Sequence, residues 1–269
     1  MIIGDKIYRF FSYLWHQVSA WNTGGEGIHS PYLFYLVRML FYERSPYYVF
    51  EDIEKRRRQM LQSDKKVYVE DYGTGKSGER RISQVAASSL KPANQAQLLF
   101  RLVQFLSHDS KRELNILELG TSLGITTAYL AAPDKRNRVV TMEGSDELAK
   151  VAIENWNELK LDNIEVVTGD ISNTLYIYAR ERKKQKLDFV FMDANHTAEA
   201  TLKYYNLIQP MLHDKSIIVL DDIHHVSGMY RVWRHLCGLP EVTTSMDLYH
   251  FGLLFFDPHY IKRHYKLRI

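Results

Sequence analysis

The sequence predicts an α/β protein, a doubly wound and mostly parallel sheet with helices on both faces, and three observations predict it. Past Leu114, short apolar runs alternate with stretches of helical period, the pattern of parallel strands joined by crossover helices. Each of those runs closes on acid: Glu118, Glu143, Asp170, Asp193 and the pair Asp221 and Asp222. The first turn carries Gly120 and Gly124, placed where a backbone takes torsions closed to other residues or lets a ligand approach.

The elements follow in order. Residues 2–20 set Ile3, Ile7, Phe10, Phe11, Leu14 and Val18 at helical spacing against Asp5, Lys6, Arg9, Ser12 and Gln17. That spacing predicts a helix docked on the core by its apolar face; a membrane-surface helix is the second reading. A glycine-rich turn at 22–30 leads to Pro31, which opens a helix over 32–41. The aromatics of this region (Tyr32, Phe34, Tyr35, Phe41, Tyr42, Tyr47, Tyr48, Phe50) are mainly packing. Residues 51–63 read as a charged helix whose basic run, 55–58, is a solvated face paired with Glu51, Asp52 and Glu54.

A short strand at 67–70 precedes the loop DYGTGKSGER. Its Gly75-Lys76-Ser77 invites a phosphate-loop reading, but Glu70 stands where that motif needs its first glycine, so the loop reads as a mobile lid or an ordinary surface loop. Helical patterns at 81–89 and 94–106 follow. Beyond them strands are expected at 114–118, 139–142, 164–168, 187–192 and 216–220, with Ser145 capping a helix to about 159 and a C-terminal hairpin at 242–246 and 251–256. The expected organisation is an N-terminal, mainly helical extension over 1–92 and a catalytic domain over 93–269.

Composition sets limits. Of 269 residues, 45% are hydrophobic, enough for a substantial core. The net charge of +3 makes no global case for nucleic acid. A single cysteine, Cys237, excludes an internal disulfide and suits a reducing compartment. No stretch reaches the roughly eighteen apolar residues of a spanning helix, and the expected location is the cytoplasm.

The spacing Glu118, Gly120, Gly124, followed by Glu143 at the end of the next strand, lacks the G-x-G that a dinucleotide site needs. It resembles instead the first two motifs of class I methyltransferases that use S-adenosylmethionine (SAM), which have a Rossmann-like sheet. The resemblance implies cofactor contacts from Glu118, Gly120, Thr121, Ser122, Gly124, Glu143, Gly144, Asp170 and Asp193. In it Gly120 meets the methionine part, Glu143 the ribose hydroxyls and Asp170 the adenine amine, while Glu118 supports the turn.

Asp221 and Asp222 then have no cofactor group to serve, and with Asp193 they make three hard oxygen ligands, which suit Mg²⁺ or another divalent cation. That set is similar to the metal-dependent O-methyltransferases of the catechol and caffeoyl-CoA type and of the macrocin type. The catechol type has Asp-Asn where Asp221 and Asp222 stand. Asn195 takes the place of the acid the sugar enzymes use as base, so His196 is the expected general base, with Asp193 also catalytic. His224 and His225 extend the acid pair, as a softer metal site or as buried loop residues. The expected reaction is methylation of a hydroxyl on a small molecule, a sugar or phenol, by a chain that can form a homodimer. Alternatives are an RNA or protein methyltransferase gripping phosphates through 55–58, 180–186 and 262–268, a nicotinamide oxidoreductase, and a non-catalytic binding module.

Overall fold

The computed structural model describes residues 3–20, 24–43, 45–70, 72, 75 and 77–268. In chain order the elements are α1 (Ile3–Ser19), α2 (Pro31–Tyr42), α3 (Tyr48–Leu61), β1 (Lys66–Val69), β2 (Gly78–Arg81), α4 (Ile82–Ser89), α5 (Ala93–Ser110), β3 (Asn115–Leu119), α6 (Ile125–Ala131), β4 (Arg138–Glu143), α7 (Asp146–Glu158), β5 (Ile164–Thr168), α8 (Ile171–Glu181), β6 (Phe189–Met192), α9 (Ala198–Ile208), β7 (Ile217–Asp221), α10 (Ser227–Gly238), β8 (Thr244–Asp247), β9 (Phe251–Phe255) and β10 (Arg263–Lys266). The α/β class expected from the alternating pattern is the class observed.

The chain divides into two compact units, one over 43–181 and one joining 1–42 to 182–269. The boundary expected near Pro92 lies inside the first of these. In the 43–181 unit β3, β4 and β5 pair in parallel, with Leu119 opposite Met142 and Glu143 opposite Thr168. Their carboxyl ends therefore share one edge. Phe50 packs against Phe100, Tyr47 and Tyr129 with ring centroids 4.8, 5.1 and 5.4 Å away, which ties α3 to α5 and α6 through edge-to-face and tilted aromatic contacts.

The same unit corrects two expectations. Residues 78–81, read as part of a loop, form β2, antiparallel to β1 with Val69 opposite Gly78. The residues between them that the lid reading invoked, Asp71, Gly73, Thr74 and Lys76, lie outside the described residues, as do Asn22 and Thr23 of the glycine-rich turn. The basic run is not a solvated face throughout. Arg57 is buried, donating from Nε to Glu54 at 2.9 Å and from Nη1 to the Lys91 carbonyl at 2.5 Å, while Arg56 donates from Nη2 to Asn155 Oδ1 at 2.6 Å.

In the other unit the strand order is β10-β8-β9-β7-β6. β6 and β7 are parallel, β7-β9-β8 antiparallel, and β10 runs parallel to β8. The expected hairpin is β8–β9. The edge strand β10 was missed, because Arg263, His264 and Lys266 give it no apolar alternation for a sequence reading to find.

Helix α1 forms as predicted but presents the opposite face. Tyr8, Ser12, His16 and Ser19 recur at helical spacing and turn inward. His16 is buried, and its Nε2 stands 3.1 Å from Asp247 Oδ1. His224 Nε2 stands 3.0 Å from Asp247 Oδ2, and its Nδ1 is 2.8 Å from Ser12 Oγ. Tyr249 stacks on the His224 ring at 4.9 Å and donates its hydroxyl to the Arg9 carbonyl at 2.9 Å. The apolar stripe instead faces solvent: Phe10 is 60% exposed, Trp15 67% and Val18 81%. The polar stripe wins because a fully buried Asp247 requires hydrogen-bonding partners, and a buried polar group without them costs more than an apolar side chain left in water returns.

Burial alone would raise the pKa of Asp247; hydrogen bonds and charge from His16 and His224 instead hold it well below the ordinary carboxylate range. Asp247→Asn is expected to lower the unfolding free energy by about 3 kcal/mol in urea denaturation at pH 7. With the folded pKa depressed, the carboxylate's contribution is complete above the ordinary value and is lost as pH falls through the folded one. The gap between wild type and variant should therefore narrow only below about pH 4.

Candidate functional site

The glycine turn after β3 is built from strained backbone held by buried acids. Gly120 (φ 97°), Ser122 (φ 50°) and Gly124 (φ 73°) all take left-handed conformations. Glycine is permissive there; for Ser122 the conformation carries strain that its surroundings must hold. They do so through Glu143, whose Oε2 accepts the Ser122 N–H at 2.7 Å while Oε1 accepts that of Ser145 at 3.0 Å. One carboxylate thus joins the turn after β3 to the turn after β4. Burial raises its pKa, and the N–H groups of Ser145, Ser122, Thr121 and Gly144 oppose the rise.

Glu118 lies fully buried at the end of the same strand. Its Oε2 accepts from Thr127 Oγ1 at 2.5 Å and Thr141 Oγ1 at 2.7 Å, and Thr121 Oγ1 lies 2.6 Å from Thr141 Oγ1. Its other oxygen, Oε1, is buried without a hydrogen-bond partner. Burial pushes its pKa from the ordinary 4.5 up to about 7, against the lowering effect of the two threonines.

Gly124 has a second reason to be glycine. A Cβ there would sit 2.6 Å from Trp156 Nε1 and 2.7 Å from the Ala152 Cβ. Trp156 Nε1 donates to the Gly124 carbonyl at 2.8 Å and Asn155 Nδ2 to the Leu123 carbonyl at 2.8 Å, so α7 satisfies the turn's outward carbonyls. Arg56 steadies Asn155 from behind. Asp170 caps α8, its Oδ1 accepting the Ser172 N–H at 3.0 Å. Residues that the sequence reading did not single out also border this edge. Tyr72 stands 3.0 Å from where a Gly144 Cβ would be, Ser145 Oγ donates to the Tyr68 carbonyl at 3.2 Å, and Ser89 Oγ is 2.7 Å from Ser122 Oγ. Contacts across 33 or more residues of chain leave no local sequence signal.

The remaining acids belong to the unit containing β6 and β7. One ligand atom from each of Asp193, His196 and Asp221 falls within 4.8 Å of the others, the only such trio among the described residues. His196 Nε2 is 3.5 Å from Asp193 Oδ1. Asp222, expected as the third ligand, is not in this trio; it takes φ 51°, and its Oδ2 lies 3.5 Å from His225 Nδ1. Asp222 lies one residue past the end of β7, where the chain leaves the extended conformation. His224 is engaged at both ring nitrogens, by Ser12 and Asp247, and is a structural residue. A ring nitrogen that binds a cation does not take up a proton, so His196 Nε2 serves either as ligand or as base.

Residues 117–223 match the family model of a methyltransferase domain, which contains every one of these acids. Among solved structures, the fold is shared with an O-methyltransferase from Bacillus cereus in complex with SAH, at a TM-score of 0.56 and 22% identity over 78% of this chain and 91% of that one. It is shared equally with TomG from Streptomyces achromogenes, an O-methyltransferase of tomaymycin synthesis solved with SAM, at 0.56 and 19% over 79% and 91%.

The raised pKa of Glu118 has a measurable consequence. An acid with a raised folded pKa stabilises least once ionised, so wild-type stability should fall relative to Glu118→Gln as pH rises from 4.5 to about 7, by at most about 3 kcal/mol. Parallel urea titrations across that range check it; curves that stay parallel would remove the buried proton from the account.

Proposed function

We propose that this chain, through its methyltransferase domain, transfers the methyl group of SAM to a hydroxyl of a small molecule, with a divalent cation assisting. The observation that carries the reading is the pair of strand-end carboxylates, Glu118 and Glu143, on a left-handed glycine turn. SAM supplies an electrophilic methyl on a sulfonium when bound. The residues present fit it. Glu118 keeps a buried oxygen without a partner, suited to a cationic group. Glu143 faces the same turn with a carboxylate suited to accept the ribose hydroxyls. Gly120 and Gly144 let a ligand approach the backbone closely, and Asp170, with one oxygen capping α8, offers the other to the adenine amine.

Asp193, Asp221 and His196 would hold the cation, which lowers the pKa of a bound hydroxyl and positions its oxygen. Two carboxylates with an imidazole suit Mn²⁺, Fe²⁺ or Zn²⁺ at least as well as Mg²⁺, because imidazole is a softer donor than the oxygens of an all-acid site. The RNA-binding reading loses its strongest segment, since Arg56 and Arg57 are committed to Asn155, Glu54 and the Lys91 carbonyl.

Isothermal titration with S-adenosylhomocysteine should give saturable heat for wild type and at least tenfold weaker binding for Glu143→Ala; equal affinity for the two proteins would reject the donor site. Titration of the chelator-treated protein with Mn²⁺ separates the roles of His196. His196→Gln weakens Mn²⁺ binding if the ring is a ligand, and leaves it unchanged while lowering turnover if the ring is the base. Unchanged Mn²⁺ binding in Asp193→Asn would end the metal assignment.

A further inference from the structure

Helix α1 carries two stripes of opposite character, and the structure uses only one. Its inward stripe, anchored at His16 and Ser12, fixes which way the helix faces. The outward stripe is Ile7, Phe10, Phe11, Leu14, Trp15 and Val18, each between 43% and 81% exposed. With aromatic side chains of 150–250 Å² among them, these six expose on the order of 800 Å², above the few hundred Å² of an ordinary surface patch. None of them is charged.

A cation meets the C-terminal end of α1, on the flank where the inward stripe ends. Lys266 Nζ, on β10, lies 3.3 Å from Ser19 Oγ at the end of α1, and its register partner in β8 is Asp247, the residue that holds His16. Residues 258–268 include Lys262, Arg263, Lys266 and Arg268 and no acid. Lys262 donates to the Leu239 and Val242 carbonyls, and Arg263 lies over the Tyr265 ring. A two-fold pairing of copies through this patch would set cations against cations. No described helix is long and apolar enough to cross a membrane.

We propose that α1 and the adjoining β10 segment form a docking surface for an anionic lipid bilayer, with the helix lying in the interface plane. Phe10, Phe11 and Trp15 enter the boundary between headgroups and acyl chains, where amphipathic aromatics are favoured, and the cations of β10 meet acidic headgroups. The polar face such a helix ordinarily turns to water is here fastened to its own protein. The helix therefore arrives folded and oriented, without the ordering cost of a free peptide. This docking is independent of the methyl-transfer reading.

Co-sedimentation of the full chain with phosphatidylcholine vesicles containing 30% phosphatidylglycerol tests it. Binding should be at least tenfold stronger than to phosphatidylcholine alone, weaken in high salt, and fall at least tenfold in the double variant Phe11→Ser, Trp15→Ser, whose circular dichroism stays unchanged because both positions are exposed. Tryptophan emission of wild type should be quenched by brominated acyl chains, a readout that needs no variant. No binding, equal binding to neutral vesicles, or binding that survives the double variant would overturn the proposal. So would a dimer in sedimentation velocity that the double variant dissolves, which would assign the stripe to a second copy.

Discussion

The carboxylate of Glu143 is the interaction on which the glycine-turn edge depends, and it is occupied by the protein's own backbone. By accepting N–H groups from Ser122 and Ser145 it fixes the relation between two consecutive strand-to-helix turns, and it offsets the left-handed conformation that Ser122 alone would not keep. The rest of that edge is arranged around this tie. Glu118 sits behind it among three threonines, Gly124 lies on Trp156, and Asn155 closes the carbonyl of Leu123. The acids here are structural: each holds backbone or hydroxyl groups of its own chain.

The reach of each tie explains how much was readable in the sequence. Apolar runs, strand-end acids and the glycine spacing are local signals, each tied to one strand or one turn, and they led to the α/β class, to β3 through β7 and to the hairpin. Partners brought in by folding were not readable. Nothing in the letters around Tyr72 or Ser89 says that they border Gly144 and Ser122, and nothing around Arg56 says that it braces a turn by way of Asn155. Asp222 was grouped with Asp193 and Asp221 as a hard ligand at adjoining strand ends, whereas the trio that lies together is Asp193, His196 and Asp221; the left-handed turn at Asp222 leaves no mark in the letters.

Helix α1 shows the same limit from another side. Its apolar period was read correctly and its orientation inverted, because the deciding group, Asp247, lies more than two hundred residues away. A hydrophobic pattern states which residues share a face. Which face goes inward depends on what the partner surface offers, and here it offers a buried acid.

The distance between His16 and Asp247 also has a consequence in time. A ribosome adding roughly 5–20 residues per second needs on the order of ten to fifty seconds after His16 to deliver the acid that receives it. Through that interval α1 is a nascent segment with Phe10, Phe11 and Trp15 uncovered and its anchor not yet made. The unit that contains it closes only when the last strands emerge. Its maturation therefore depends on late translation, and on whatever shields a sticky leading segment until then.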